Sequence, residues 1–529
     1  MTGAADPVLI GVDVGTTNVK AAAYAPDGRI RAAAAERLPV IHPRPGWSEY
    51  DPETLFATAA GVVRRVTAAL ERAQVAGVAV ASMAETAVPL DGRGAPLHHA
   101  VAWHDERARP QADWWRREVG DEAVYRITGL PIVPIFGVHK LMWFRQHDPT
   151  AHARMRAWLN VADYVAFRLC SVQATDLSLA SRLMLLDLNA RRWSADLLAA
   201  CDVDRAILPE LVQSGQRLGA VHAEGAAATG LPVGTPVAAG GHDHPCGALA
   251  LGLTEPGDVL DSMGTSESLF TVTDVPRLTP ELGAAGYQQG AHVVANRAYC
   301  NGGLYTSGAC IEWLRTLIAA GEPDPYATLA AWAEGSPVGA RGAFFLPHLR
   351  LASPPIVDLD ARAAFIGLSA GSDRGDLVRA VLEGLAFEAQ ASLDGLVALM
   401  SVSTRRVRAI GGGTRNRLLM RVKAALLGAP IQVAVHDEAT TLGAALLAGV
   451  GAGIYRDTFE APTRVSPAFD EVPVDAAWRE RYLRAYREVY LRLYHQLEDL
   501  HHAVHALARL DSERPPDTGA TADGEEGTP

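Results

Sequence analysis

The residues with the clearest chemical meaning form a short motif near the start of the chain. DVGTT at residues 13–17 follows the apolar run 8–12, so a strand ends in a carboxylate and is followed by glycine and two hydroxyls. A tight hairpin of this composition can wrap its backbone N–H groups around a phosphate. A variant, DSMGTS at residues 261–266, returns about half a chain later. Two such turns predict a duplicated fold whose halves grip one polyphosphate from opposite sides.

The elements that must position these turns follow a similar order in both halves. Runs rich in apolar and β-branched residues predict strands at 8–14, 19–24, 30–35, 75–80, 237–239, 259–263, 406–410 and 431–435. Apolar residues at helical spacing predict helices over 54–73 and 417–427. A glycine turn is expected between the strand at 237–239 and Asp243. The Pro/Gly-marked junction near 254–257 predicts two domains, 1–253 and 254–510.

The C-terminal part is predicted to be one long helix followed by an unstructured tail. The helix is expected over 476–510, and its aromatic residues recur every four positions, which indicates a face docked on the protein. These residues are Trp478, Tyr482, Tyr486, Tyr490 and Tyr494. His501 and His505 near its end are interpreted as solvated surface. Residues 511–529 are rich in Pro, Gly, Asp, Glu and Thr, which predicts a disordered acidic tail.

Bulk properties favour a protein with a sizeable core and no polyanionic partner. Of the 529 residues, 49% are hydrophobic and 20% charged, and the net charge of −12 favours neither nucleic acid nor an anionic membrane as a partner. Five cysteines without CxxC spacing indicate reduced thiols rather than a disulfide framework. The start lacks a basic segment, and no apolar run approaches ~18 residues. We therefore predict a cytoplasmic protein.

Taken together, the motifs resemble the FGGY family of carbohydrate kinases, part of the actin/Hsp70-type ATPase superfamily. Their order and spacing carry the resemblance over nearly the whole chain. The matching segments are DVGTTNVK (13–20), VAWHDER (101–107), TGLPIVPIFGVHKLMW (128–143), AGGHDHPCGALALG (239–252), MGTSE (263–267), GGLYTSGACIEWLR (302–315), RAVLEGLAFE (379–388) and GGGTRNRLLMRVKAALLGAPI (411–431). The resemblance implies an α/β fold with two ribonuclease H-like domains of the actin-like ATPase type around a deep central cleft.

The same resemblance implies ATP and Mg²⁺ as cofactors. It places Asp13 at the metal, through water, because Mg²⁺ dehydrates reluctantly. The residues that it places around the nucleotide are Gly15, Thr16, Thr17, Lys20, Gly264, Thr265, Gly308, Gly411, Gly412, Gly413 and Asn416. Two alternatives stay open from the residues alone: Asp13 can satisfy its own turn, and 411–413 can be a plain flexible turn.

Asp243 is the residue that the resemblance implies as general base and substrate contact. A carboxylate within hydrogen-bond reach of the acceptor hydroxyl contributes roughly 10²–10⁴-fold to the rate. The structural alternative is an aspartate that caps a helix beginning near Cys246. His242 and His244 flank the aspartate, and with Cys246 they form an alternative transition-metal site. We favour His244 as a hydrogen-bond partner of a substrate hydroxyl.

Four residues of the first half fall where family members contact the acceptor: Glu85, Trp103, Asp105 and Arg107. Trp103 has core packing as its alternative. Two positions depart from the pattern of glycerol kinases: Met83 and Ala84 precede Glu85, and Ile135 precedes the next aromatic residue. The segment 83–86 also departs from the Gln-Met-His-Gly of xylulose kinases. A carboxylate at position 85 favours polyol hydroxyls and repels a sugar acid.

These residues predict ATP-dependent phosphorylation of a neutral ketose or polyol of the xylulose, ribulose or fuculose type. An aldonate such as gluconate is the second choice of substrate. Two other classes are kept as alternatives: a non-catalytic, nucleotide-dependent sugar-binding or regulatory protein on the same scaffold, and a metal hydrolase built on His242 and His244. The expected partners are the small-molecule sugar and ATP, and a homodimer is left open.

Overall fold

A computed structural model of the chain describes residues 7–70, 75–435 and 438–512, which fold into two α/β lobes. The N-terminal lobe is built on a six-stranded sheet in the order Arg217–Ala220, Pro236–His242, Val75–Ser82, Val8–Val14, Asn18–Tyr24, Ile30–Arg37. The C-terminal lobe is built on a seven-stranded sheet in the order Gln288–Ala291, Ala298–Leu304, Glu267–Thr273, Asp258–Met263, Arg406–Ile410, Ile431–Ala434, Phe469–Val472.

The two sheets share one connectivity around their first strands. Val8–Val14 and Asp258–Met263 each pair antiparallel with the strand that follows and parallel with a strand much later in the chain. A further parallel strand completes each arrangement, Pro236–His242 in one lobe and Ile431–Ala434 in the other. The duplication predicted from the two turn motifs is therefore confirmed at the level of topology.

The remaining elements surround the sheets. Two-stranded pairs join Glu49–Tyr50 to Ala100–Val101, Ala87–Asp91 to Met155–Asn160, Ala174–Asp176 to Glu210–Val212, Leu186–Asp187 to Arg192–Trp193 and Phe344–Leu346 to Ala364–Ile366. The α-helices are Pro52–Ala68, Arg109–Glu118, Asp121–Thr128, Gly137–His147, Pro149–Arg154, Val161–Cys170, Leu177–Ser181, Ala195–Ala200, Ala223–Thr229, Asp243–Ala250, Pro280–Ala284, Gly308–Ile318, Pro325–Gly335, Arg374–Met400, Arg417–Leu427, Ala439–Gly451, Ala476–Ala485 and Leu491–Ser512. Short 3₁₀ turns lie at Arg205–Ile207, Ala340–Gly342, Gly412–Arg415 and Ala461–Arg464.

Two helices between the sheets join the lobes. Ala439–Gly451 leaves the second sheet and packs on the first, where Gly11 lies so close to it that a Cβ would collide with the carbonyl oxygen of Thr441. Asp243–Ala250 lies beside it, and its buried side chains pack with residues of both sheets. The lobes are therefore held by a close-packed apolar contact directly beneath the cleft.

The strand that leads to Asp243 differs from the prediction. Instead of ending in a glycine turn, Pro236–His242 stays extended through both glycines, and the helix starts at Asp243 itself. Gly240 is required by close packing, because a Cβ there would collide with the carbonyl of Val80 on the neighbouring strand. Asp243 is thus fixed directly at the carboxyl end of a central strand.

The helix predicted over 54–73 begins earlier than expected. Asp51 caps it by accepting the N–H of Thr54, and Pro52 occupies its first turn. The helix ends at Ala68, and residues 71–73 of the predicted span lie outside the described residues.

The aromatic stripe of the last helix docks on the long helix Arg374–Met400, which confirms the predicted docking face. The hydroxyls of Tyr482 and Tyr490 donate to Glu383 and Glu388, both at 2.7 Å. A π-helical turn at Tyr486–Tyr490 interrupts the predicted single helix, which then continues to Ser512. The rest of the predicted tail, 513–529, lies outside the described residues.

The interpretation of His501 as solvated surface is wrong. Its ring is only 5% exposed and stacks on Tyr494, with the ring centroids 6.1 Å apart. His505 Nε2 lies 3.2 Å from Asp360 Oδ1. The helix face that carries these histidines therefore packs on the loop before Ala364–Ile366. This contact could not be predicted from the residue pattern of the helix alone.

Gly11→Ala tests the contact that joins the lobes. Because the new methyl group would overlap the backbone of the helix at Thr441, we expect the free energy of unfolding to fall by about 1–3 kcal/mol or more. Urea denaturation measures the change. Gly61→Ala is the matched control, since Gly61 lies within Pro52–Ala68 and a methyl group there would meet open space, and it should raise stability by about 0.5–1 kcal/mol. A Gly11→Ala protein as stable as the parent would contradict the packing.

Candidate active site

A cavity of about 330 Å³ lies between the lobes, and both lobes contribute to its wall. Thr16 of the first turn motif and Ser266 of the second both line it, together with Asp243. Other residues of the wall are Met83, Glu85, Trp103, Arg182, His242 and His244 from the N-terminal half and Glu267, Gln288, Tyr299 and Tyr305 from the C-terminal half. The two turns therefore open on one space, as the repeat predicted.

Asp243 stands at the start of its helix with one carboxylate oxygen fully engaged. Its Oδ1 accepts the backbone N–H of His244 at 2.6 Å and lies 3.1 Å from Nε2 of His242. Burial alone would raise the pKa of this carboxyl, but the nearby His244 and His242 outweigh it and lower the pKa to about 2. Asp243 is therefore a carboxylate at neutral pH, and Oδ2 is left for a ligand.

The pKa of Asp13 is shifted in the opposite direction to that of Asp243. Burial and the negative charge of Asp243 raise its pKa to about 8, although Lys20 opposes the shift. Its Oδ1 is buried and has no hydrogen-bond partner among the described residues. Asp13 thus holds a proton at neutral pH as long as no cation replaces it.

A divalent cation fits this orphaned oxygen. Among the described residues, no group of three His, Cys, Asp or Glu side chains is arranged to bind a metal. A cation at Asp13 would therefore complete its shell with water and phosphate oxygens, as Mg²⁺ commonly does.

Lys20 bridges the lobes beside Asp13. It is the register partner of Asp13 on the neighbouring strand, and its Nζ lies 3.1 Å from Oε1 of Glu438, just before the helix Ala439–Gly451. Both side chains keep about a third of their surface exposed, 33% for Lys20 and 32% for Glu438. The ammonium is therefore held at the cleft by a contact that solvent and ligands can reach.

The second turn is gripped by the N-terminus of the helix Gly308–Ile318. The N–H groups of Gly308 and Ala309 donate to the carbonyls of Gly264 and Thr265, each at 3.1 Å. Gly308 allows this approach, because a Cβ would meet the carbonyl oxygen of Gly264 at 2.5 Å. The structure thus brings the predicted residue Gly308 into direct contact with the predicted phosphate turn.

The triple glycine lies against the strand that feeds this second turn. Gly411 has a left-handed φ of 94°, and a Cβ there would collide with the carbonyl of Met263. Asn416 caps the following helix by accepting the N–H of Leu419 at 3.0 Å. The predicted adenosine segment and the predicted phosphate turn are therefore neighbours at the carboxyl ends of two central strands of the second sheet.

An ion pair between Glu85 and Arg182 forms part of the cavity wall on the other side. Arg182 Nε and Nη2 lie 2.6 and 2.5 Å from Glu85 Oε1, and Nη1 donates to Gln288 Oε1 at 3.0 Å. Glu85 adopts a left-handed φ of 59°, a conformation that costs energy for a residue other than glycine and that clusters at functional sites.

Trp103 lies in the cavity wall and not in the core. Its side chain is 37% exposed, and Nε1 donates to Oγ1 of Thr16 at 3.0 Å. The carbonyl of the same residue accepts from Lys140 Nζ at 3.3 Å. The indole therefore links the cavity wall to the first turn.

Asp105 and Arg107, expected as contacts of the acceptor, do not line the cavity. Arg107 donates to Asp105 at 2.8 Å and to Glu49 at 2.6 Å, and its guanidinium lies 3.9 Å from the ring centroid of Trp47. Neither side chain has exposed surface. The expected direct contact is corrected to a supporting position, because the ion pair consumes the polar atoms of both residues.

Arg182 and Gln288 are wall residues that the sequence analysis missed. Arg182 is the one charged residue in the mainly apolar segment 177–186, and a lone arginine in such a run signals a buried partner. Gln288 gave no comparable signal, since it reaches the wall through a strand of the other lobe.

The histidine pair does not assemble a metal centre with Cys246. The rings of His242 and His244 stack on each other with centroids 5.6 Å apart, and both face Asp243. Cys246 is packed among apolar residues, and burial raises the pKa of its thiol well above the usual value.

Within the described ranges, no helix is both long and apolar enough to cross a bilayer.

The two matching lobes around a shared cleft have the actin-like ATPase fold. The N-terminal domain of the FGGY family of carbohydrate kinases matches residues 8–250, and its C-terminal domain matches residues 260–452. The chain therefore belongs to the FGGY family of carbohydrate kinases. These enzymes transfer a phosphoryl group to an alcohol and use ATP with a divalent metal.

Relatives and solved structures cover most of the chain. A glycerol kinase of Gloeobacter violaceus is 32% identical over 85% of this chain and 90% of that protein. A xylulose kinase of Staphylococcus xylosus is 26% identical over 84% of this chain and 90% of that protein. The crystal structure of a xylulose kinase from Rhodospirillum rubrum superposes with a TM-score of 0.86 at 30% identity, covering 94% of this chain and all of that one.

Asp13→Asn tests the raised pKa of Asp13. Between about pH 5 and pH 8, the folded protein keeps a proton on Asp13 that the unfolded chain has released, so Asp13 contributes a fall in stability as the pH rises. The asparagine variant should lose this slope, and its melting temperature should exceed that of the parent at pH 8. Asp51→Asn is the control, because an asparagine keeps the helix cap and the pKa of Asp51 is already low. Equal slopes in the parent and in Asp13→Asn would contradict the assignment.

Proposed function

We propose that the chain phosphorylates a hydroxyl of a neutral ketose or polyol with Mg-ATP as donor and Asp243 as general base. The observation that carries the proposal is the ionised Asp243 in a cavity onto which both phosphate-type turns open. This arrangement would bring an acceptor hydroxyl, the carboxylate of Asp243 and the terminal phosphate of ATP together in one cavity.

In the proposed reaction, the acceptor oxygen attacks phosphorus while the bond from phosphorus to the bridging oxygen of ADP breaks. The hydroxyl proton passes to Oδ2 of Asp243, since Oδ1 already accepts from His244 and faces His242. A carboxyl with a pKa near 2 is a weak base, so it takes the proton only as the new bond to phosphorus forms. That order agrees with the loose transition state of phosphoryl transfer, in which positioning dominates.

Two predicted roles on the nucleotide side rest on charge. Asp13 would hold the divalent cation, whose positive charge would neutralise the phosphates. Lys20 would exchange its contact with Glu438 for a phosphate oxygen, which is a strong, charge-assisted partner. Closure of the lobes would then exclude water as a competing acceptor.

The preference for a neutral acceptor follows from the Glu85–Arg182 pair. The guanidinium is already neutralised by Glu85, and three of its nitrogens are engaged by Glu85 and Gln288. The free oxygen Oε2 of Glu85 can accept a sugar hydroxyl but repels a carboxylate. The pair therefore favours ketoses and polyols over aldonates.

Asp243→Asn, with a substrate screen, tests the central assignment. A coupled assay of ADP release over ketopentoses, deoxyketoses, polyols including glycerol, and aldonates should first identify the acceptor. With that acceptor, the variant should lose about 10²-fold or more in kcat, because the proton acceptor is gone, while ADP binding by calorimetry stays within threefold.

Asp148→Asn is the matched control for this loss, since Asp148 caps a helix away from the cavity and asparagine keeps the cap. Near-normal turnover of Asp243→Asn would refute the base assignment. Sugar and nucleotide binding without turnover by the parent protein would favour a non-catalytic regulatory role.

Glu85→Gln tests the basis of acceptor choice. Removing the carboxylate leaves Arg182 uncompensated in the cavity, so the variant should bind neutral substrate less well and tolerate a carboxylate better. The ratio of kcat/KM for gluconate to that for the best neutral substrate should rise about tenfold, which corresponds to roughly 1.4 kcal/mol of altered electrostatics.

Glu49→Gln is the control for this change. It also removes a carboxylate from a buried arginine pair, but behind the cavity wall. It should affect stability without altering the ratio. An unchanged ratio in Glu85→Gln would show that the Glu85–Arg182 pair does not select the acceptor.

A further inference from the structure

A buried ion cluster lies under the second phosphate-type turn. Lys423 Nζ donates to Glu267 Oε1 at 2.8 Å and also contacts Asp261 Oδ2. Lys423, Glu267 and Asp261 are buried residues, with 7%, 4% and 1% of their surface exposed. Lys423 belongs to the helix that follows the triple glycine, whereas the two carboxylates lie on the strands that flank the turn.

The cluster connects all the elements that converge on the turn. Met263 and Glu267 are register partners at the base of the hairpin, so Asp261, Met263 and Glu267 present their side chains on one face of the sheet. The other carboxylate oxygen of Glu267 accepts from Ser307 Oγ at 2.9 Å, at the start of the helix that grips Gly264. Lys423 Nζ also lies 3.8 Å from the sulfur of Met263. Gly411 and Gly413 of the triple glycine pack against the same methionine.

Lys423 reaches the interlobe cavity only through Glu267. Glu267 lines the cavity and Lys423 does not. We propose that Lys423 is a positioning residue that, through Glu267 and Asp261, locks the turn 264–266 to the triple-glycine segment and so sets the affinity for nucleotide. This inference rests on the proposed binding of ATP at these two segments.

The charge balance explains why a lysine is needed. Two carboxylates this deeply buried repel each other, and burial raises the pKa of Asp261 despite the nearby Lys423. An ammonium donates to several oxygens at once, so it can hold both strands of the hairpin from one helix. A neutral side chain at position 423 would remove the contact that holds the turn 264–266, while the residues of the turn itself stay unchanged.

Lys423→Met tests the proposal, with ADP binding by calorimetry and sugar binding by tryptophan fluorescence in the absence of nucleotide. The dissociation constant for ADP and the KM for ATP should rise at least about tenfold, since small misplacements of a binding group are costly. The dissociation constant for sugar should change less than twofold, because the cavity wall around Trp103 is built by the other lobe.

Lys140→Met is the reciprocal control. It removes another buried ammonium, one that donates to the carbonyls of Trp103 and Ile135 beside the sugar-facing wall. It should weaken sugar binding about tenfold and leave ADP binding within twofold. A general loss of stability would instead affect both ligands alike in both variants.

The double variant Lys423→Met/Asp261→Asn separates positioning from stability. Replacing Asp261 removes one of the two unpaired carboxylates, so the melting temperature should recover while ADP binding stays weak. Recovery of ADP binding together with stability, or unaltered ADP binding in a folded Lys423→Met protein, would overturn the inference. If the parent protein itself failed to bind ADP, the proposed function would fall instead.

Discussion

The burial of Asp13 close to the ionised Asp243 organises the rest of this site. Asp13 ends one strand and Asp243 follows another, with Val75–Ser82 paired between the two. Burial, together with the charge of Asp243, raises the pKa of Asp13. One carboxyl is held ionised by two histidines, and the other stays protonated until a cation arrives. In the proposed reaction, the cleft would thus offer a base that is always ionised and a cation site that forms when the metal binds.

The duplicated topology explains how the two turns that we propose to bind phosphate reach the cleft. In each lobe, the first strand and its antiparallel neighbour present a hairpin at the cleft, and parallel strands behind them supply a rigid support. The helices Asp243–Ala250 and Ala439–Gly451 lie between the sheets, so Asp243 is anchored in the contact that joins the lobes. The proposed closure of the cleft would therefore change the distance between the turns without displacing Asp243 from the end of its strand.

The fold and part of the candidate site could be predicted from the sequence. The remaining site residues could not, because their roles depend on contacts between distant parts of the chain. Strand periodicity and the repeated turn motif predicted the paired sheets, because these signals are local. Glycines at 240–241 were misread as a turn, since only the neighbouring strand at Val80 shows that they serve close packing. Arg182, Gln288 and Glu438 were missed because their partners lie about a hundred or several hundred residues away. Asp105 and Arg107 look like ligands in sequence, yet they satisfy each other.

A crystal structure of Asp243→Asn with Mg²⁺, a non-hydrolysable ATP analogue and the best acceptor would test this arrangement most directly. We predict that the terminal phosphate lies between Thr16–Thr17 and Gly264–Thr265, with the metal nearest Asp13. The acceptor hydroxyl should lie within hydrogen-bond distance of residue 243 and in line with that phosphate. Phosphates bound outside the two turns, or an acceptor hydroxyl remote from residue 243, would contradict the assignment of both the clamps and the base.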